Sequence, residues 1–267
     1  MSLRDWVSCV LFVASLPAVA LAYPGGTPDF QTDVAPFCAG CHSSRSEAAL
    51  TGAPGGRAQK ELATSKHLAL IESGEEGYKD LTPAQRAELV AHVKALDAAS
   101  TIALEAPASV RAGETFEVTV KVTGGAGPVV GVGLVDLDHR WLARPAPSAG
   151  WQIAAPPEIA GPDGRAQTEW LSRRPESAGR SVSFVNVTGI ESDASKRSFA
   201  SARVTWRLRA PSSPGAYPLA AAYWYGTEKG SPLGYTTDPV RGRQVRGGFT
   251  GHSGRLLFTS VQRIDVK

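Results

Sequence analysis

Residues 114–123 read "ETFEVTVKVT", and this stretch decides the architecture of the larger part of the chain. Successive side chains of an extended strand point to opposite faces. Phe116, Val118, Val120 and Val122 therefore share one face, and Glu117, Thr119 and Lys121 share the other. Clean alternation of this kind predicts an antiparallel strand with one side buried and one side wet. Working outward, "VVGVGLVDLD" (129–138) reads as a second strand whose glycines permit twist or close packing. "SVSFVNVTG" (181–189), "SARVTWRLRAP" (201–211) and "YPLAAAYWYG" (217–226) follow, bounded by Pro, Gly and Ser clusters, and "GRLLFTSVQRIDVK" (254–267) closes the chain as a last strand. About seven short strands with turn signals and no convincing helix predict an all-β immunoglobulin-like sandwich. No cysteine pair is placed to bridge its sheets.

The run "VTWRLRAPSSPGAYPLAAAYWYG" (204–226) resembles the strand-turn-strand ending of many exported Ig-like modules. Trp206, Tyr217, Tyr223 and Tyr225 are read as packing residues, because a sandwich needs bulky core side chains. The segment from Trp141 to Arg180 is rich in Pro, Gly and Ala and carries Trp151 and Trp170. It predicts a long loop, the kind of segment on which binding surfaces are commonly built. "GPDGR" (161–165) reads as a turn and "RGRQVRGG" (241–248) as a solvated loop. No nucleophile elbow, HExxH or phosphate-binding glycine loop occurs in this half.

The other end of the chain has a different character. "MSLRDWVSCVLFVASLPAVALAYPGG" (1–26) places Arg4 before an apolar run that closes in Ala20-Leu21-Ala22. That layout predicts a secretory signal peptide over 1–22, cleaved between Ala22 and Tyr23. With Ser8, Ser15 and Pro17, the run falls short of the roughly 20 strongly apolar residues a membrane span needs. The expectation is an exported protein, periplasmic or secreted, with no membrane span after cleavage. A net charge of +3 is too small to argue for nucleic acid as a partner.

Of the three cysteines, Cys9 lies inside the apolar run, which leaves Cys38 and Cys41 in "APFCAGCHSS" (35–44). Two cysteines separated by two residues can form thioethers with both vinyl groups of one haem, and the adjoining histidine then falls under the iron. A zinc site needs four ligands; Cys38, Cys41 and His67 supply three, and no second cysteine pair completes the set. A thioredoxin-like dithiol belongs at the end of a strand that opens a helix, and the flanks offer no such strand. The motif predicts one covalently bound haem c, with Cys38 and Cys41 as the thioethers and His42 as proximal iron ligand.

Downstream, "LATSKHLALIESGEEGYKDLTPAQRAELVAHVKALD" (62–97) predicts two helices. A short one around Leu68 and Ile71 closes at Gly74. A second starts with Thr82 as N-cap and Pro83 at the first helical position. Leu89, Val90, Val93 and Leu96 recur at helical spacing and give it an apolar face. With the CxxCH, this stretch resembles the C-terminal half of a class I c-type cytochrome domain over about residues 28 to 98. That resemblance implies a small all-α haem domain (23–98) followed by the sandwich (99–267): two domains, an all-α cytochrome c-like one and an all-β immunoglobulin-like one.

It also implies a sixth iron ligand in the loop before the last helix, commonly methionine. The only methionine is Met1, and the loop offers Tyr78 and Lys79 instead. His67 is the first candidate for the sixth position; His92, His139 and His252 are the other histidines, and an open position is the alternative. A bis-His iron would sit at a lower potential than a Met-ligated one. The function expected from the resemblance is single-electron transfer to a redox partner protein in the exported compartment, with the sandwich docking the haem or binding. The chain is read as an electron carrier rather than an enzyme. A haem-based gas sensor or peroxidase with an open iron, or a binding module with an accessory haem, are the rival readings.

Overall fold

In a computed structural model the chain is described over residues 63–137, 144–169, 182–240, 242–247 and 253–267. Cys38, Cys41, His42, His139, His252 and the expected signal over 1–22 lie outside the described residues.

The described part opens with two helices, α1 (Ala63–Ser73) and α2 (Pro83–Ala99). The strands then follow in order: β1 (Thr101–Glu105), β2 (Ser109–Val110), β3 (Thr115–Thr123), β4 (Ala126–Val135), β5 (Gln152–Ile153), β6 (Glu158–Ala160) and β7 (Phe184–Thr188). The last six are β8 (Ser201–Arg209), β9 (Gly215–Gly226), β10 (Tyr235–Asp238), β11 (Gly242–Val245), β12 (Gly254–Phe258) and β13 (Gln262–Val266).

The strands make a β-sandwich. One sheet runs β1-β3-β8-β5, with β6 also on β8; the other runs β2-β13-β9-β4-β7, with β12 also on β9. Pairing is antiparallel except where β13 meets β2. The alternation of "ETFEVTVKVT" holds: Val118, Val120 and Val122 point into the core, and Val118 and Val120 stand opposite Trp206 and Val204 of β8. On the wet face of the same pair, the Thr119 and Thr205 hydroxyls lie 3.1 Å apart.

Aromatic packing agrees with the sequence reading. Trp206 and Tyr223 are inaccessible and Tyr225 nearly so, while the half-buried Tyr217 meets the ring of Trp151 edge-on at 5.7 Å. Their polar atoms are provided for, as buried aromatic N–H and O–H groups require. Trp206 Nε1 donates to the Val182 carbonyl at 2.8 Å and the Tyr223 hydroxyl to the Gly124 carbonyl at 2.7 Å.

Three readings need correction. The segment expected as a loop instead supplies β5 and β6 to the edge of β8, and places Trp151 in the core. The closing "GRLLFTSVQRIDVK" is two strands, not one. β12 pairs with the C-terminal end of β9 and β13 with its N-terminal end, and the Thr259 hydroxyl takes the Ala221 amide at the break between them.

The largest correction is to the fold class. A small all-α cytochrome c-like domain followed by an all-β sandwich is not what the described residues form. The described residues are mostly β, and their two α-helices are a hairpin seated on the sandwich. The helices begin and end as expected. Gly74, at φ +73°, closes α1, a conformation that costs a residue without Cβ nothing. Thr82 caps α2 in a reciprocal pair with Gln85, whose Oε1 accepts from the Thr82 amide at 2.9 Å. Yet the predicted apolar face of α2 is not closed within the hairpin. Leu89, Val90 and Val93 pack with Ile71 and Tyr78 and with Leu233 of the sandwich, while Leu96 packs on Ala126 and Ala194. Two short helices cannot bury enough apolar area alone, and the sandwich supplies the missing wall.

Candidate functional site

Where the hairpin meets the sandwich, the chain buries an unusual set of polar side chains: His67 of α1, Tyr78 of the following turn, Glu228 after β9, and Arg255 of β12. None is more than 1% exposed. Charged residues are seldom fully buried unless paired, so each needs an identified partner.

Glu228 is the hub. Its Oε1 accepts from the Tyr78 hydroxyl at 2.8 Å and is in close contact with His67 Nε2. The Thr227 hydroxyl lies 2.9 Å from Glu228 Oε2 and 2.9 Å from the Ser253 carbonyl, with one proton to give. Burial pushes the Glu228 carboxyl up. His67, Tyr78 and Thr227 outweigh that and hold it below its ordinary value. The same contact works in the opposite sense on Tyr78, whose phenol is driven far up, first by burial and then by the neighbouring carboxylate. Tyr78 therefore stays a protonated donor. The turn Arg246-Gly247 closes over the pair. Gly247 has φ +69°, and a Cβ there would come within 2.6 Å of the Tyr78 hydroxyl.

His67 is held at both ends. Arg255 Nη2 lies 3.0 Å from its Nδ1. A guanidinium has no acceptor, so Nδ1 must present a lone pair and the ring proton must be on Nε2, facing Glu228. Arg255 Nε donates to Asp97 Oδ2 of α2 at 3.1 Å, and the Tyr225 hydroxyl donates to Asp97 Oδ1 at 3.1 Å. A second clamp lies nearby. Arg246, 5% exposed, grips Asp80 through both Nη atoms, with Nη2 at 2.8 Å from Oδ2. It also donates to the carbonyls of Gly77 and Leu233. The hydrogen bonds from Arg246 hold the Asp80 carboxyl below its usual range.

The expected solvated loop "RGRQVRGG" is therefore corrected over 242–247. Gly242–Val245 pairs as a hairpin with Tyr235–Asp238, and Arg246 turns inward.

A His–Glu pair with a tyrosine at hydrogen-bond distance has the parts of an acid–base centre, but here it is sealed. Chemically the arrangement can tie the helices to the sandwich. Of the residues singled out as iron ligands, the structure describes two histidines. His67 has both nitrogens committed to protein partners, and His92 has Nδ1 on the Ser231 hydroxyl at 2.8 Å. For His67 to bind iron, one ring nitrogen would first have to leave its partner, Arg255 or Glu228. Lys79 is exposed and Tyr78 is engaged as above.

The sequence reading missed Glu228, Arg255, Asp97, Asp80 and Arg246. One signal was present: in "GRLLF", Arg255 shares a strand face with Leu257, so a cation stands in an apolar register. A buried ion pair is what such a placement asks for.

No family model matches the chain, and no curated protein matches it. Among solved structures it is similar to the ASH / PapD-like domain of human CEP192 (PapD-like domain 7), at 12% identity over 63% of this chain and 87% of that one, with a TM-score of 0.24.

Proposed function

We propose that the chain is an exported haem c protein that passes single electrons to a partner protein, with the haem carried on the N-terminal side of the helical hairpin and the β-sandwich as its mount. The observation that supports this is the CAGCH at 38–42, which uses both cysteines outside the apolar N-terminal run. Haem c, when bound, supplies a one-electron couple at an exposed porphyrin edge. Cys38 and Cys41 would hold it and His42 would be its proximal ligand. The sandwich, clamped to the helices through Asp80–Arg246 and Asp97–Arg255, would give the haem segment a rigid neighbour for docking. Electron transfer needs no substrate turnover, so the protein is read as a carrier.

A second reading is favoured by one observation. His67, the first candidate for the sixth position, has both ring nitrogens engaged. An iron left without it has an open position that takes a diatomic gas or peroxide, which makes a gas sensor or a peroxidase the rival class.

The absorption spectrum of the processed protein, made alongside a haem c maturation system, separates these readings. Bound haem that survives denaturation and is lost in Cys38→Ser and Cys41→Ser supports covalent attachment; protein without haem overturns both readings. Sharp reduced bands unmoved by CO support the carrier, and a spectrum that shifts under CO supports the open iron.

A further inference from the structure

Away from the buried node, the described residues shape a polar cleft of about 570 Å³. One wall is the turn around Glu191 and Lys196, the second is the turn carrying Lys229, and the third is the β10–β11 hairpin with Tyr235 and Arg243.

Its charge is unbalanced in a specific way. Lys196 is neutralised by Asp193 at 2.9 Å. Lys229 is half-buried and has no ion pair or hydrogen bond among the described residues. Its ammonium is pushed down first by burial and also by Arg243, with Glu191 opposing. Arg243 lies with its guanidinium carbon 3.6 Å from the centroid of the Tyr235 ring, and no carboxylate closes on it among the described residues. A planar cation stacked on a ring keeps its N–H edge free to grip a carboxylate side-on. Two cations therefore face the cleft against the single exposed carboxylate of Glu191, an excess of one positive charge. Around them stand groups suited to hydroxyls. The Glu191 carboxylate is an acceptor, and the hydroxyls of Ser198 and Tyr235 have no hydrogen-bond partner among the described residues.

We propose that this cleft binds a small hydroxylated monocarboxylate of the uronic-acid class, with its carboxylate between Lys229 and Arg243 and its hydroxyls on Glu191, Ser198 and Tyr235. One negative charge matches the one unpaired positive charge, which fits a sugar acid better than a phosphate dianion. Mixed lining of both signs fits a polyhydroxylated ligand better than a bare ion. The site is independent of the haem reading, since it lies wholly on the sandwich side.

The test is calorimetric titration of the full-length processed protein with D-galacturonate, its linear trimer, D-galactose and inorganic phosphate. Saturable binding of galacturonate that weakens with added salt, with no binding of galactose, is the expected result. Lys229→Met and Arg243→Gln should each weaken it about tenfold or more, since each removes a charge-assisted hydrogen bond. The double variant Asp193→Asn with Lys196→Met removes their ion pair without changing the net charge of the cleft, and should leave binding within about threefold. Trimer binding tighter than monomer identifies a polysaccharide as the source, and equal binding identifies the free acid. Galactose binding as well as galacturonate, phosphate binding better than either acid, or unchanged affinity in both the Lys229 and Arg243 variants would each overturn the proposal. So would the absence of binding by both acids. An unchanged melting temperature in the variants shows that a loss is local.

Discussion

Replacing Glu228 with leucine tests the claim that the helical hairpin is held to the sandwich by a polar clamp rather than by apolar contact alone. Leucine approximates the volume and keeps water out, but it removes the acceptor of the Tyr78 hydroxyl and of His67 Nε2. Each buried donor left without an acceptor costs about 1–3 kcal/mol, so two cost roughly 2–6. That loss should fall on the hairpin, whose apolar cluster with Ile71, Leu89 and Val93 is the smaller one.

The assay is native-state amide hydrogen exchange, which reads local opening separately from global unfolding. Every 1.4 kcal/mol is tenfold, so α2 amides at Leu89, Val90 and Val93 should exchange about one and a half to four orders of magnitude faster. β3 amides at Val118 and Val120 should change little, because their partners on β8 are untouched. Glu228→Gln keeps an oxygen for the two donors and should lose much less. The reasoning fails if α2 protection changes less than tenfold in Glu228→Leu. It also fails if α2 and β3 lose protection by the same factor, which would make the node part of one cooperative unit.

The pH dependence follows from the sign of the Glu228 shift: a carboxyl held below its ordinary value stabilises the fold above the unfolded-state value, about 4.3 for glutamate. That stabilisation should be lost as pH falls through and below the ordinary value, seen as acid-induced loss of α2 protection that Glu228→Gln makes shallower. The Asp80–Arg246 clamp should be asymmetric, because the Asp80 side chain is 60% exposed and that of Arg246 is 5% exposed. Urea unfolding should show Asp80→Asn costing at most about 1 kcal/mol, as a part-exposed pair does. Arg246→Ala should cost at least twice that, since it also frees the Gly77 and Leu233 carbonyls; equal costs would refute the asymmetry. Gly133→Ala should cost about 1–3 kcal/mol in thermal unfolding, because its Cβ would come within 2.4 Å of Phe184 Cδ1, where that ring meets Trp224 edge-on. A stable Gly133→Ala would show that the aromatic pair can shift.

How far the sequence could be read depends on the range of the information each residue carries. "ETFEVTVKVT" was legible because alternation is local: each side chain's face is set by its neighbours along the strand. Thr82-Pro83 and Gly74 were legible for the same reason, since caps are written within four residues. The hairpin's helical faces were legible too, but not what covers them. Leu89 and Val93 look the same whether they close a haem pocket or meet Leu233. A resemblance resting on a motif and one amphipathic helix could not tell these apart.

The buried node was illegible for a sharper reason. Its members are separated by 150 residues between Tyr78 and Glu228 and by 188 between His67 and Arg255, and no local rule pairs charges at that distance. His67 shows the consequence. By sequence it is a polar residue beside Lys66 in a helix, as free to bind iron as to face water. Its role is set by a guanidinium on β12 and a carboxylate after β9, and only the sheet that brings β9 and β12 side by side could reveal it. A histidine between an obligate donor and an acceptor is fixed in one tautomer, and removing either neighbour frees the nitrogen that faced it. In the fold the same position lies between Arg255 and Glu228, within the contact that seats the helices.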